Sequence, residues 1–302
     1  MDDKKRGETI VYASIFRPGL FAEMRVIVTG GGSGIGRCTA HELAALGATV
    51  ALVGRKHDRL AAVQKEISDT GAAKPTIHIC DIREEDKVKA TVTAIIEEHG
   101  RVDALVNNAG GQFAAPLKDI SQKGWETVVR TNLTGGFLMA RECFSQSMEK
   151  NGGAIVNVIA DMWTSMPGMG HSGAARAGML NFTMTAALEW AYAGVRVNAI
   201  APGVIASSGL STYPDAMREG IKNAWRHIPL KRLGTESECS AAIVFLLSPA
   251  AAFISGACIR VDGAHPNAKS RWPIPDHDRS VPYYGFPLES PPDFLRREKN
   301  GG

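Results

Sequence analysis

Short apolar runs alternate with longer segments of helical periodicity along the chain, and this alternation predicts the order of its secondary structure. The runs lack the strict apolar–polar alternation of half-exposed strands, which is typical of parallel strands covered by helices on both faces. Strands are predicted at residues 25–29, 49–53, 76–80, 104–106, 154–159, 196–200 and 258–261. Helices are predicted at residues 35–46, 57–70, 84–99, within 122–149, and at 171–193 and 236–247.

Right-handed crossovers between such strands predict an α/β fold. We expect a single doubly wound parallel sheet of the Rossmann type, with helices on both faces and a site at the carboxyl ends of the strands. This domain is predicted to span residues 22–265, after an N-terminal arm of residues 1–21 and before a Pro-rich C-terminal extension of residues 266–302. Seven of the 15 prolines lie in residues 264–302, which excludes regular helix or strand interiors there. Five aromatic residues in the same stretch favour a strap packed on its own or a neighbouring subunit over a free tail.

Composition and charge mainly exclude other classes of protein. The 302 residues are 44% hydrophobic and 22% charged, which is ordinary for a soluble globular protein. With 34 basic and 31 acidic residues, the net charge is +3 and no Lys/Arg run stands out, so we expect no nucleic-acid partner. No apolar stretch approaches the roughly 18 residues of a membrane helix, so no membrane association is expected. Five scattered cysteines without a CxxC pair favour a reducing compartment and predict neither a disulfide framework nor a metal site.

A glycine-rich turn follows the first predicted strand and opens the first predicted helix. Backbone without side chains approaches a pyrophosphate closely, and a helix N-terminus offers unpaired N–H groups and the positive end of its dipole. The spacing is TGxxxGxG and not GxGxxG, because Ile35 stands where the third glycine would be. A tight structural connection is the alternative, but the placement predicts that residues 22–265 bind a dinucleotide through Thr29, Gly30, Ser33, Gly34, Ile35 and Gly36.

The end of the second predicted strand indicates which dinucleotide is bound. A carboxylate there accepts from the ribose 2′-hydroxyl of NAD, whereas an arginine pairs with the 2′-phosphate of NADP. The strand ends in Gly54-Arg55-Lys56, and the first carboxylate is Asp58. Arg55 and Lys56 therefore predict NADP(H) as the cofactor, the alternative being that Arg55 is a solvated cation at a helix start.

Further motifs make the chain resemble the short-chain dehydrogenase/reductase family over about residues 22–265. They are TGGGSGIG at residues 29–36, Asp81-Ile82 after the third strand, NNAG at residues 107–110, Thr131-Asn132, and Pro202-Gly203 after the sixth strand. The resemblance implies that Asp81 bonds the adenine amino group, that Ile82 lines the adenine pocket, and that the protein is a homotetramer pairing its two long central helices. It also implies a place for Asn132 in the catalytic helix and cofactor contacts from Asn108, Ala109, Gly110, Pro202, Gly203 and Val204.

One stretch departs from the family pattern, which has a Tyr-x-x-x-Lys pair preceded by a catalytic serine. Here Ser172 stands at the tyrosine position and Arg176 at the lysine position, and the serine position falls near Ala160. Reduction of a ketone needs a proton donor for the alkoxide that forms. Reduction of a C=C bond conjugated to a thioester instead spreads charge into an enolate and needs its proton at the α-carbon. The departure therefore favours the second reaction.

The same stretch, HSGAARAG at residues 171–178, resembles the peroxisomal trans-2-enoyl-CoA reductases, as do GGQF at residues 110–113 and PDHD at residues 275–278. This resemblance implies NADPH-dependent reduction of the C2=C3 bond of trans-2-enoyl-CoA thioesters. We expect Asn132 and Ser172 to stabilise the enolate and Arg176 to hold the nicotinamide ribose. Gln112 and Phe113, together with Ser172, are expected to contact the acyl substrate.

Asp161 is a hypothesis for the proton relay, because it lies eleven residues before Ser172, where some 2,4-dienoyl-CoA reductases carry a catalytic tyrosine. The alternative is a polar loop residue that caps the backbone of Thr164 and Ser165. Residues 203–234 are the predicted substrate region. Its cations are candidates for contacts with coenzyme A phosphates, or else belong to a solvated helix face; they are Arg226, His227, Lys231 and Arg232.

Three other functions are compatible with the sequence. They are a 2,4-dienoyl-CoA reductase, a carbonyl or alcohol oxidoreductase of the same family, and an NADP(H)-binding protein without turnover. The chain ends in Lys299-Asn300-Gly301-Gly302 and not in a peroxisomal signal of the Ser-Lys-Leu type, which predicts a cytoplasmic location.

Overall fold

The fold is a single parallel sheet flanked by helices, seen in a computed structural model that describes residues 11–268 and 271–295. Seven strands pair in the order β3-β2-β1-β4-β5-β6-β7. The strands are β1 (Arg25–Thr29), β2 (Thr49–Gly54), β3 (Thr76–Ile79), β4 (Ala104–Asn107), β5 (Gly153–Val158), β6 (Val195–Pro202) and β7 (Cys258–Val261). The predicted doubly wound sheet is confirmed, whereas the start of the arm and the chain end at residues 296–302 lie outside the described residues.

Nine α-helical segments surround the sheet in the described part of the chain. They are α1 (Gly34–Ala45), α2 (His57–Asp69), α3 (Glu85–His99), α4 (Gln122–Val129), α5 (Gly135–Cys143), α6 (Glu149–Asn151), α7 (Gly170–Glu189), α8 (Asp215–Asn223) and α9 (Glu236–Leu247). All predicted helices are present with ends shifted by a few residues, and α8 is an addition. None of the helices in the described ranges combines the length and apolar character that crossing a membrane requires.

Alternate residues of each strand face opposite layers of the molecule. Val26 and Val28 of β1 belong to the apolar cluster that includes Leu43 of α1, while Ile27 belongs to the opposite cluster with Met139 of α5. Because helices cover both faces, both alternating sets are apolar, which explains the continuous apolar runs in the sequence. The parallel strands end at one edge of the sheet, where the loops after them carry the predicted site residues.

The segment predicted to contain one long helix, residues 122–149, is helical throughout, but its α-helical geometry is interrupted twice. Two π turns, Arg130–Thr134 and Phe144–Met148, separate α4, α5 and α6. A π turn accommodates an extra residue and shifts the face that the helix presents. The first of them contains Asn132, whose residue surface is 2% exposed. The apolar periodicity of the sequence gave no sign of either turn.

The proline-rich extension packs against its own chain at the start of α9. The Ser237 hydroxyl accepts hydrogen bonds from the N–H groups of Gly285 and Phe286, at 3.1 and 3.0 Å. The Phe286 ring is buried against Tyr12 of the N-terminal arm and His41 of α1. As the proline content predicts, residues 271–295 contain no strand and no helix longer than the single turn Asp293–Leu295.

Two carboxyl groups meet where the extension joins α9. The N–H of Glu236 donates to Oε1 of Glu289 at 3.0 Å, and the Glu236 side chain lies beside the glycine-rich turn, 3.9 Å from where a Cβ on Gly34 would be. Burial, reinforced by the nearby Glu289 charge, raises the pKa of Glu236 to about 7. Burial raises the pKa of Glu289 as well. The folded chain therefore binds a proton at Glu236 more tightly than the unfolded chain does.

The raised pKa of Glu236 makes stability depend on pH. Its contribution to the free energy of unfolding is fully present below the unfolded value near 4.5 and is lost as pH rises through about 7. Glu236→Gln removes this loss. Between pH 4.5 and 8 we therefore expect the free energy of unfolding of the variant to rise by about 2–3 kcal/mol relative to that of the wild type. Urea unfolding across this pH range measures the difference. Glu97→Gln, a substitution at an exposed acid, is the control. The assignment is contradicted if the difference in free energy of unfolding between Glu236→Gln and the wild type does not change with pH.

Candidate active site

The glycine-rich turn between β1 and α1 is shaped for close approach of the backbone. Gly30 and Gly34 have φ angles of +66° and +57°, which side chains disfavour. A Cβ on Gly36 would lie 2.5 Å from the Gly30 carbonyl oxygen, so only glycine lets α1 pack on the turn. Ser33 is the N-cap residue of α1, and its hydroxyl makes no capping hydrogen bond within the described chain. The helix start therefore fits an anion such as the predicted pyrophosphate.

Thr29 and Asn108 join the ends of β1 and β4. The Thr29 hydroxyl accepts from the N–H groups of Asn108 and Ala109, both at 3.0 Å, and donates to the Val106 carbonyl at 3.2 Å. Asn108 Nδ2 donates to the Thr29 carbonyl at 3.0 Å. A hydroxyl has one hydrogen and two lone pairs, so that of Thr29 is fully used. These residues hold two cofactor loops in register, and direct contact of the Thr29 hydroxyl with a cofactor has no support in this arrangement.

Polar groups for the adenosine half follow β2 and β3. Arg55 and Lys56 are exposed at the end of β2, and neither side chain has a hydrogen bond or ion pair to a described residue. Asp81 is held by the guanidinium of Arg83, whose Nε lies 2.8 Å from Oδ1 while Nη2 donates to Oδ2. These hydrogen bonds from Arg83 lower the pKa of Asp81 to about 2. Asp81 is thus an anionic acceptor beside buried Ile82, which fits the predicted adenine contacts.

Gly110 lies against two of the predicted catalytic side chains. A Cβ on Gly110 would lie 2.7 Å from Nη2 of Arg176 and 2.8 Å from Oδ1 of Asn132. Asn132 holds the loop after β4 by both ends of its amide, because Oδ1 accepts from the Gly111 N–H at 3.0 Å and Nδ2 donates to the Gly111 carbonyl at 2.7 Å. The structure therefore brings Asn132, Arg176 and this loop together as predicted, with Asn132 bonded to backbone.

Arg176 is a half-buried cation without a carboxylate partner among the described residues. It projects from α7, and its Nη1 donates to the Val158 carbonyl at the end of β5, at 2.7 Å. Its Nε is buried and has no hydrogen-bond acceptor within the described ranges. Burial lowers the pKa of Arg176 to about 10, so the side chain remains charged at neutral pH. An orphaned buried donor of this kind fits the predicted contact with a polar group of the cofactor.

A hydrogen-bond chain runs from α7 to the predicted substrate region. The hydroxyl of Ser172, which is completely buried, donates to Oε1 of Gln112 at 2.5 Å. Nε2 of Gln112 in turn donates to the phenol oxygen of Tyr213, which follows the short helix Ser208–Thr212. Phe113 stands edge-on to His171, with ring centroids 4.4 Å apart, and is 41% exposed. Gln112, Phe113 and Ser172 therefore cluster as predicted, together with a tyrosine that the sequence analysis missed.

Asp161 lies at the same edge of the sheet, after β5. Its N–H donates to the Pro202 carbonyl at 3.0 Å, and its Oδ2 lies 3.1 Å from Nδ1 of His265. Its Oδ1 is buried and has no partner in the described part of the chain. The side chain does not cap Thr164 or Ser165, which was the alternative. His265 is a second residue that the sequence analysis did not single out.

Pro202, Gly203 and Val204 lead from β6 into the substrate region. The Gly203 N–H donates to the Val261 carbonyl at 2.9 Å, and a Cβ on Gly203 would lie 2.9 Å from the Asp262 Cα. The Val204 carbonyl accepts from the Gly234 N–H at 3.0 Å. This close packing fixes the backbone that the family resemblance places beside the nicotinamide.

Two of the cations predicted to contact coenzyme A are neutralised by the chain itself. The Lys231 ammonium lies 3.1 Å from Oδ1 of Asp276 and donates to the Arg226 carbonyl. The Arg232 guanidinium pairs with Glu238 at 2.6 Å and bonds Ser280. Both side chains bind the C-terminal extension, Lys231 at Asp276 and Arg232 at Ser280, and Arg232 also binds Glu238 of α9. The hypothesis that they contact coenzyme A phosphates stays a prediction.

One group in the described ranges has donors that suit a metal ion. Ligand atoms of His78, Glu98 and His99 lie within 4.8 Å of one another. The Thr76 hydroxyl is hydrogen-bonded to both imidazoles, at 2.9 and 3.0 Å. Because these side chains already satisfy one another beside β3, away from the loops described above, we assign them no ion.

The site and the fold together define the class of protein. The family model described as enoyl-(acyl carrier protein) reductase matches residues 30–264, which contain the glycine-rich turn and every predicted catalytic residue. The chain belongs to the short-chain dehydrogenase/reductase family. It is accordingly an oxidoreductase that uses a nicotinamide dinucleotide.

Individual relatives carry the names of different activities. A probable 2,4-dienoyl-CoA reductase of Bacillus subtilis (strain 168) is 36% identical over 241 residues, covering 79% of this chain and 94% of the relative. A glucose 1-dehydrogenase of Gluconobacter oxydans (strain 621H) is 39% identical over 246 residues, covering 80% of this chain and 92% of the relative. The solved structure of the citronellol catabolism dehydrogenase AtuB of Pseudomonas aeruginosa PAO1 is 62% identical, with a TM-score of 0.76, covering 84% of this chain and 99% of that chain.

Gly36 tests the dinucleotide site. We expect Gly36→Ala to raise the dissociation constant of the nicotinamide dinucleotide at least about tenfold, because the new Cβ displaces backbone that must approach the phosphates closely. Isothermal titration measures the constant, and circular dichroism verifies the fold. Gly220→Ala is the matched control, since a Cβ there meets no described atom within 4 Å. Equal affinity of the two variants would show that the turn does not hold the cofactor.

Proposed function

We propose that this protein is an NADPH-dependent reductase of the C2=C3 double bond of trans-2-enoyl-CoA thioesters. The observation that carries the proposal is the start of α7, where a buried serine and a half-buried arginine stand in place of the Tyr-x-x-x-Lys pair. The Ser172 hydroxyl is engaged with Gln112. Arg176, with a pKa of about 10, holds its proton throughout the neutral range. Neither residue is suited to the rapid proton exchange that an alkoxide requires.

An unsaturated thioester makes a smaller demand on the site. Once its β-carbon accepts a hydride, negative charge spreads over the α-carbon and the thioester oxygen. The fixed charge of Arg176 stabilises such an anion at no cost of reorganisation, because the guanidinium is already held by the Val158 carbonyl. The site therefore suits a reaction in which charge stabilisation matters more than immediate protonation.

NADPH suits the residues around the turn, and it supplies the hydride when bound. In this proposal the start of α1, with Ser33, binds the pyrophosphate. Arg55 and Lys56 pair with the 2′-phosphate, and Asp81 accepts from the adenine amino group. The unpartnered Nε of Arg176 donates to the nicotinamide ribose.

Two other substrates have specific support. The Bacillus subtilis relative favours a 2,4-dienoyl-CoA, in which the same hydride chemistry acts on a longer conjugated system. The 62% identity to AtuB favours a dehydrogenase of citronellol catabolism, for which we consider an alcohol as the substrate. The second of these requires an acid–base group that α7 does not supply.

A substrate comparison tests the proposal. Purified protein is assayed for NADPH oxidation with trans-2-enoyl-CoA thioesters of several chain lengths and with a 2,4-dienoyl-CoA, and for NADP reduction with citronellol. We expect the highest kcat/KM with an enoyl-CoA, and a saturated acyl-CoA product by mass spectrometry. Faster turnover of citronellol, or no turnover that depends on an acyl-CoA, would overturn the proposal.

Arg55 tests the choice of cofactor. We expect Arg55→Ala to raise the dissociation constant of NADPH about tenfold or more, since a charge-assisted hydrogen bond to the 2′-phosphate is worth roughly 1.5–3 kcal/mol. NADH lacks that phosphate and serves as the internal control, so its affinity should change by less than about twofold. The two affinities are compared by fluorescence titration. An equal loss for both cofactors would contradict the assignment.

We further propose that the protein is a cytoplasmic homotetramer. Phe137 of α5 and Met184 and Leu188 of α7 are exposed apolar residues on the two long central helices, which supports pairing of these helices between copies. All five cysteines are free thiols, which supports a reducing compartment.

A further inference from the structure

We propose that the phenol of Tyr213 is the acid that protonates the α-carbon of the substrate. This makes Tyr213 a catalytic residue that comes from the segment after β6 and not from α7. The inference rests on the proposed function, because it assigns the proton that reduction of an enoyl thioester consumes.

The hydrogen-bond chain from α7 fixes the position of the phenol. The Gln112 amide is oriented by Ser172, because Oε1 accepts the Ser172 hydroxyl hydrogen and Nε2 must then face the other way. That Nε2 donates to the Tyr213 oxygen. The amide thus links the helix that carries Arg176 to the substrate segment, and it places the phenol beside the loop of Gly110 and Gly111.

The same bonds leave the phenolic hydrogen available. Since the Tyr213 oxygen accepts from Gln112, its own hydrogen points elsewhere. Its one acceptor in the described chain is the Met169 sulfur at 3.7 Å, a weak partner. A substrate carbon that carries enolate charge competes easily with a thioether for this proton.

The phenol of Tyr213 lies near a cation and within reach of solvent. The Arg176 guanidinium and Tyr213 lie close enough to interact electrostatically. Tyr213 is itself only half-buried, so water can return the proton after each turnover.

The other polar groups of the site are less suited to this step. The Ser172 hydrogen is committed to Gln112, and the Asn132 amide is bonded to Gly111 and does not titrate. Asp161 is paired with His265 and bonded through its backbone to Pro202. Tyr213 combines a titratable O–H with a position fixed by the residues predicted to flank the acyl chain.

Bound NADPH would supply the hydride that forms the new C–H bond at the β-carbon, and the electron pair of the C=C bond moves to the α-carbon and thioester oxygen. The O–H bond of Tyr213 then breaks, its proton forms the C–H bond at the α-carbon, and the phenolate takes a proton from water. The substrate is reduced by two electrons and the nicotinamide is oxidised by two.

Tyr213→Phe in the full-length protein tests this assignment. Three quantities are measured: kcat with a trans-2-enoyl-CoA, the dissociation constant of NADPH, and the configuration at the α-carbon of product formed in D₂O. We expect kcat to fall about 100-fold or more while NADPH affinity changes by less than about twofold. The wild type should give a single α-deuterated configuration, whereas residual product of the variant should contain both, because solvent then protonates a free enolate. Tyr284→Phe is the matched control, since Tyr284 is 66% exposed in the extension.

The outcomes separate this inference from the proposed function. A wild type that consumes no NADPH with any enoyl-CoA overturns both. A wild type that turns over, beside a Tyr213→Phe variant with kcat within twofold and a single α-configuration, overturns the role of Tyr213 alone. If Tyr213→Phe fails to fold, Gln112→Leu keeps the phenol but removes the bond that aims it. This second variant should lower kcat about tenfold with NADPH affinity preserved, and unchanged kcat would again overturn the assignment.

Discussion

Arg176 donates to the Val158 carbonyl and lies against Gly110, with no carboxylate paired to it in the described chain. Removing a cation from water without a counter-charge costs free energy, and the depressed pKa of this guanidinium expresses that cost. The groups around Arg176 are arranged to leave room for its charged guanidinium. A Cβ on residue 110 would displace the Arg176 guanidinium or the Asn132 amide, and that amide is turned to the backbone of Gly111. The site is thus built around a fixed positive charge that a ligand or a developing anion can neutralise.

A buried arginine and a buried lysine place different limits on chemistry at this position. An arginine stabilises negative charge but hardly exchanges protons, whereas a lysine can do both. With Arg176 the tasks of charge stabilisation and proton supply fall to different side chains. Tyr213 is suited to the second task because it is bonded to Gln112 and only half-buried, which leaves it accessible to solvent. Such a division of tasks between two side chains suits an enolate better than an alkoxide, because an enolate persists after the hydride has been transferred.

The sequence predicts the sheet well because both faces of every strand are covered. Val26, Ile27 and Val28 are all buried, so the strand is an unbroken apolar run in the sequence, which is typical of a strand covered on both faces. The glycine-rich turn is equally readable, because its backbone angles and close contacts demand glycine at set positions. Local rules therefore account for the fold and for the cofactor half of the site.

The catalytic half was harder to predict because its contacts join distant parts of the chain. Gln112 and Tyr213 are 101 residues apart, and Asp161 and His265 are 104 apart, so no spacing rule relates them. The same reason explains why the contact of Arg232 with the C-terminal extension was not predicted, since its partner Ser280 lies 48 residues further along. The π turn at Asn132 also escaped the prediction.

The fate of the hydride tests the central claim most directly. NADPH labelled with deuterium at the transferred position of the nicotinamide is incubated with the enzyme and a trans-2-enoyl-CoA in ordinary water, and the product is analysed by NMR and mass spectrometry. The account predicts one deuterium at the β-carbon of a saturated acyl-CoA. It is contradicted if no deuterium enters the acyl thioester while a parallel incubation with an aldehyde or ketone places deuterium at the carbinol carbon.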